Sequence, residues 1–192
     1  MSRIILGSSS PRRQDLLSRV GLKFEIVKPE TEEIRREGES AKDYVERNAL
    51  EKGQWVCERV DKDDVVISSD TVVVLGERIL EKPKSHSDAA EMLNLLSNDT
   101  HTVISGVCIK QGSKEVIFSC TTEVTLKKLS EREIEKYIAT GEPMDKAGSY
   151  AAQGIGSYMV KNIKGSYANV VGLPIAEVVE ILESDFQVSL WN

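Results

Sequence analysis

Ile4-Ile5-Leu6-Gly7-Ser8-Ser9-Ser10-Pro11-Arg12-Arg13 is the stretch on which the reading of the fold turns. A short apolar β run passes into a hydroxyl-rich turn, and the turn passes into a helix. Pro11 suits the first helical position, because its fixed φ matches a helix and its missing N–H would be unpaired there anyway. Ser9 or Ser10 is placed to cap that helix. The first-turn N–H groups then point outward and the helix dipole adds partial positive charge. Arg12 and Arg13 stand in the same turn, where cations are unfavourable unless an anion or a carboxylate answers them. Phosphate is the anion such a turn suits best. A capped surface helix with two solvated arginines fits the same residues, and geometry alone leaves both readings open.

Outward from this turn the chain reads as β–α–β, an acidic loop, a long helix, a β-rich middle and a helix-bearing C-terminal part. The first helix runs from about residue 11 to 20, and the alternation in Lys23-Phe24-Glu25-Ile26-Val27 predicts a strand. Residues 29–39 are polar and acidic and read as a loop. Ser40 with Asp43 resembles a capping box and opens a helix to about residue 57. Residues 65–75 are β-branched, Gly76-Glu77 turns the chain, and 88–96 has helical periodicity. Residues 103–110 and 116–127 form a hairpin around Gly112-Ser113. Ser130 and Glu133 make a second capping box, Gly141 stops that helix, 158–163 is a strand, and Pro174 opens the last helix. No internal repeat and no linker divides the 192 residues, which read as one domain, 1–192.

The composition narrows the function. A net charge of −6 argues against broad binding to nucleic acid or an anionic membrane, so any polyanionic ligand must be held by a local cluster of cations. No apolar stretch is long enough to span a bilayer, and the N-terminus has no signal-peptide pattern. Cys57, Cys108 and Cys120 are widely spaced and odd in number, and read as buried free thiols of a cytoplasmic protein. Two lone histidines, His86 and His101, give little support to a zinc site or a Ser/His/Asp triad.

Several charged residues stand where apolar ones belong. Asp70 interrupts Val65-Val66-Ile67-Ser68-Ser69-Asp70-Thr71-Val72-Val73-Val74, whose two faces are both mainly apolar, as in an interior strand. A carboxylate there needs a cation, a metal or a water to act upon; a bulge where it caps nearby backbone is the alternative. Lys52 falls on the inward stripe of Val45, Ala49 and Val56, and either points inward or snorkels to the surface. Lys82 follows Ile79-Leu80-Glu81 and precedes Pro83; alone it is an ordinary loop lysine. Residues 145–156, Asp145-Lys146-Ala147-Gly148-Ser149-Tyr150-Ala151-Ala152-Gln153-Gly154-Ile155-Gly156, allow either close backbone approach to a ligand or a flexible loop. They match neither the P-loop nor a dinucleotide fingerprint.

Taken in order, these segments resemble the Maf family of nucleoside triphosphate pyrophosphatases, also described as septum-formation inhibitors. The resemblance rests on Leu6–Arg13, Glu51-Lys52, Ser69-Asp70-Thr71-Val72, Glu81-Lys82-Pro83, Asp145–Gly148 with Gln153-Gly154, and Gly165-Ser166-Tyr167 with Val171–Pro174. It implies an α/β fold similar to the inosine triphosphatases: a mixed twisted sheet with flanking helices and two lobes around a deep cleft. The implied reaction is hydrolysis of a nucleoside triphosphate between the α and β phosphorus atoms, releasing pyrophosphate. Arg13, Thr71 and Gln153 resemble the residues of members selective for dTTP and UTP, and are implied to select the base. Ser8, Ser9, Ser10 and Arg12 are implied to bind substrate, with Arg12, Lys52 and Lys82 concentrated on the phosphates. Asp70 is implied to position or deprotonate the attacking water, or with Glu33 to hold a divalent Mg²⁺ or Mn²⁺. Relatives suggest a homodimer. Alternatives within and beyond this class are a pyrophosphatase for modified nucleotides, a non-catalytic nucleotide-binding regulator of cell division, and a structural or interaction protein.

Overall fold

The structure is a computed structural model that describes residues 3–190. Seven strands, β1 (Ile4–Gly7), β2 (Glu25–Ile26), β3 (Val65–Leu75), β4 (Arg78–Leu80), β5 (Thr100–Gln111), β6 (Lys114–Leu126) and β7 (Val160–Lys164), form one sheet. Its order is β2-β1-β3-β5-β6-β7, with β4 paired to β3. β1 runs parallel to both β2 and β3, whereas β3–β4 and β6–β7 are antiparallel, so the sheet is mixed as expected. The helices are α1 (Pro11–Arg19), α2 (Ala41–Cys57), α3 (His86–Leu96), α4 (Glu131–Ala139), α5 (Tyr167–Val171) and α6 (Ile175–Phe186). No helix among the described residues is long and apolar enough to cross a membrane.

The chain forms two compact units, residues 3–70 with 105–120 and 172–190, and residues 71–104 with 121–171. In the first, Ile5, Val56 and Val66 anchor an apolar cluster backed by Val27, Trp55, Cys57 and Val60. Two glycines let α2 lie close to the sheet. A Cβ on Gly106 of β5 would fall 2.3 Å from the Val45 carbonyl oxygen, and one on Gly53 would fall 2.8 Å from Ser68 Oγ. Ser68 Oγ donates to the Ala49 carbonyl at 2.7 Å, tying α2 to β3.

In the second unit, α3 and α4 bury Leu93, Leu96, Ile134 and Tyr137 with Val103, Val124 and Leu126 of the sheet. The capping box at Ser130 and Glu133 forms as the sequence predicts, and Gly141 takes the left-handed conformation (φ 77°) that ends α4. His101 is buried beside Tyr150, its Nε2 2.7 Å from the Tyr150 hydroxyl. Burial lowers the His101 pKa from 6.5 to about 4, against the opposing charge of Asp99. The unfolded chain therefore binds the extra proton between pH 6.5 and 4. The stability contributed by the neutral ring is complete above pH 6.5 and declines as the pH falls, by roughly 3 kcal/mol at pH 4. Urea unfolding across this window should show the decline, and His101→Gln should flatten it. Equal slopes in the two proteins would contradict the assignment.

Three expectations are corrected. The strand over 23–27 shrinks to Glu25–Ile26, both exposed, because alternation at an unburied edge has no second face to bury. The strand over 158–163 begins only at Val160, since a 3-10 turn at Ile155–Met159 precedes it. Of the three cysteines only Cys108 is buried; Cys57 and Cys120 are partly exposed.

Candidate active site

Close packing of α2 on β3 brings the two anomalous charges together. Lys52 Nζ lies 2.7 Å from Asp70 Oδ1, and each residue is 7% exposed. Lys52 thus points inward, where the apolar stripe of α2 directs it. Its ammonium also meets Glu33 Oε1 at 2.6 Å, so two carboxylates converge on one cation. The second Asp70 oxygen, Oδ2, accepts from Asn48 Nδ2 at 2.9 Å. Asn48 lies four residues before Lys52 on the same helical face and is 1% exposed. Sequence reading missed it, although the signal was the one that exposed Lys52: a polar residue on an apolar stripe.

Glu33 reaches Lys52 from a loop without regular structure, and the loop is pinned to α2. Tyr44 Oη donates to the Glu33 carbonyl at 3.1 Å. Arg47 donates through Nη2 to the Ile34 carbonyl at 2.9 Å and through Nε to Glu39 Oε1 at 2.6 Å. The Arg47 hydrogen bond holds the Glu39 carboxyl down at about 2. This ion pair therefore persists through the weakly acidic range.

The opening turn is braced from inside. Arg13 Nε donates to the Gly172 carbonyl at 2.8 Å, and Nη1 to the Ser69 carbonyl at 2.8 Å and Ser8 Oγ at 3.2 Å. Burial lowers the Arg13 guanidinium from its ordinary range, while the charges of Asp70 and Glu33 partly restore it. Arg12, half-buried, acts on Arg13 as a neighbouring like charge. Ser8 is buried, Ser9 exposed and Ser10 half-buried. Ser10 is the N-cap of α1 but makes no side-chain cap. Its own N–H donates to Ser8 Oγ at 3.2 Å, so Ser8 closes the turn one step earlier than a cap would.

The structure thus gathers Ser8, Arg13, Glu33, Lys52 and Asp70 within the first unit. Thr71, Lys82 and Gln153 belong to the second: Thr71 follows Asp70 on β3 and is half-buried, and Lys82 and Gln153 are exposed. Glycines of the 145–156 segment approach protein groups closely. A Cβ on Gly148 would lie 2.9 Å from Val73 Cγ2, on Gly154 1.9 Å from Glu142 Oε1, and on Gly156 2.6 Å from Tyr137 Oη. The sequence left open a close approach to a ligand or a flexible loop; the groups that these glycines approach are the protein's own.

Among the described residues, no group of three or more His, Cys, Asp or Glu side chains is gathered to hold a metal ion. Asp70 and Glu33 are two carboxylates on one cationic centre. Hard carboxylate oxygens are the donor type that a divalent Mg²⁺ or Mn²⁺ takes, and here both meet the Lys52 ammonium.

The comparisons agree with the motif reading. A dTTP/UTP pyrophosphatase of Salmonella typhimurium is 47% identical over 182 residues, 95% of this chain and 92% of that protein. One of Alkaliphilus metalliredigens is 43% identical over 192 residues, 99% of this chain and all of that protein. A solved nucleoside-triphosphatase / dITP/XTP pyrophosphatase from Mycobacterium abscessus covers 66% of this chain and 75% of its own, with a TM-score of 0.43 at 19% identity. The Maf-like protein family model matches residues 3–185, and the chain belongs to that family.

Proposed function

We propose that the protein hydrolyses dTTP and UTP to the monophosphate and pyrophosphate. The observation that carries this reading is the buried Lys52–Asp70 pair, met by the exposed Glu33 carboxylate, together with the turn braced by Arg13. It puts a carboxylate able to handle a proton next to cations able to hold phosphate. Relatives named dTTP/UTP pyrophosphatase, matched over nearly their whole length, support the substrate.

The substrate is a polyanion and the protein carries a net −6, so binding depends on Arg12, Lys52 and Lys82. Charge-assisted hydrogen bonds of this kind contribute about 1.5–3 kcal/mol each. Lys52 donates to Asp70 Oδ1. A phosphate oxygen competes for that ammonium, and its partial transfer frees Oδ1 to accept a proton from water. Asn48 holds Oδ2 throughout, so the carboxylate keeps its orientation while its partner changes. The water oxygen attacks the α phosphorus, its proton passes to Asp70, and the α–β bridging bond breaks toward pyrophosphate. Glu33 would hold Mg²⁺ or Mn²⁺, and Asp70 would join it only where it does not serve as the base; the ion would supply neutralisation of charge on the phosphate oxygens.

Gln153 and Thr71 are assigned to the base. A Gln amide offers a donor and an acceptor, as the uracil and thymine edges do. Arg13 spends Nε and Nη1 on protein acceptors, so its part is to shape the site. The family match along residues 3–185 supports one domain. Initial rates on dTTP, UTP, CTP and dGTP test the reading. dTTP and UTP should exceed dGTP by at least about tenfold in kcat/KM, because a hydrogen-bonding pocket rejects a base that leaves its groups unpaired. A preference for dGTP would overturn it.

A further inference from the structure

Gln153 is exposed, yet the backbone on both sides of it is tied to one pair of side chains. Glu142, in the 3-10 turn Glu142–Asp145 that follows α4, accepts from the Ile155 N–H through Oε1 and the Gly156 N–H through Oε2, each at 2.9 Å. Tyr137 Oη accepts from the Ala151 N–H at 3.0 Å, and its hydroxyl also hydrogen-bonds Glu142. Burial works against the Glu142 charge, but the Gly156 N–H, the Tyr137 hydroxyl and the Ile155 N–H outweigh it and hold the carboxyl below its ordinary range.

The clamp also explains the glycine spacing around Gln153. A side chain at Gly154 would fall on Glu142, and one at Gly156 on Tyr137. Residues 151, 155 and 156 are thus fixed through one buried phenol and one carboxylate, and Gln153 projects from the short span between them. A reading side chain must be held within about half an ångström to be selective, and an exposed Gln on an untied loop would not be.

We infer that Glu142 and Tyr137 are a positioning pair that fixes Gln153 and thereby sets base selectivity. The inference rests on the assignment of Gln153 to the base. The test is kcat and KM on dTTP, UTP, CTP and dGTP for the wild type, Gln153→Ala, Glu142→Gln, Tyr137→Phe and the double variant Glu142→Gln/Gln153→Ala. Gln153→Ala should lower the dTTP-to-dGTP ratio of kcat/KM by about tenfold or more. Glu142→Gln keeps the size but removes one acceptor, and should lower the same ratio about fivefold through a higher KM for dTTP. Tyr137→Phe should shift it the same way, and the double variant should lose no more than Gln153→Ala alone. If Gln153→Ala leaves the ratio unchanged, the base assignment fails and the inference falls with it. If Gln153→Ala collapses the ratio while Glu142→Gln and Tyr137→Phe lower all nucleotides equally, or the double variant is additive, the clamp is structural only and the base assignment survives. Should Glu142→Gln fail to fold, Tyr137→Phe decides between these outcomes.

Discussion

Asp70→Asn is expected to lower kcat on dTTP by roughly 10³-fold while nucleotide affinity stays within a few-fold. Proton transfer to a positioned group is worth about 10²–10⁴-fold, and an amide cannot take the proton. Binding survives because Asp70 donates nothing to the phosphates; removing its charge lowers repulsion and leaves Lys52 paired with Glu33. Asn also keeps the size of Asp beside Asn48, so the packing of α2 on β3 persists. Single-turnover kinetics together with calorimetric titration of dTTP separate the two effects. Near-normal turnover would remove Asp70 from the mechanism.

Lys52→Met is expected to act on stability as well as on rate. The Lys52–Asp70 pair is buried, and removing one partner of such a pair costs about 3–5 kcal/mol because the other charge remains in place. Glu33, more exposed, adds little to that cost. The double variant Lys52→Met/Asp70→Asn lacks the stranded carboxylate and should unfold closer to wild type than Lys52→Met alone. Urea midpoints and slopes measured together check this. A Lys52→Met variant within about 1 kcal/mol of wild type would mean that the pair is not buried in solution.

Both expectations come from residues that stand out in the sequence alone. Asp70 broke an apolar strand and Lys52 broke an apolar helix stripe, and each proved to be the other's partner. The turn from β1 into α1 was readable because Gly, Ser and Pro act locally, through φ preferences and missing donors. The caps of α2 and α4 were readable for the same reason. What escaped was set by distance along the chain. Arg13 finds its carbonyl at Gly172, 159 residues away, and no periodicity connects the two. Glu33 lies in a polar loop whose place is set by Arg47 and Tyr44, through bonds to backbone carbonyls that no sequence pattern marks. Glycines at 154 and 156 suited a ligand-facing turn or a flexible loop alike, and only the fold shows that Glu142 and Tyr137 are what they approach.

The central claim is that water attacks the α phosphorus. Its most direct measurement is the product pair formed from dTTP in the presence of Mg²⁺, resolved by anion exchange with phosphate and pyrophosphate quantified separately. The predicted result is dTMP and pyrophosphate in equal amounts, with no dTDP. Accumulation of dTDP with inorganic phosphate, or no product at all, would contradict it.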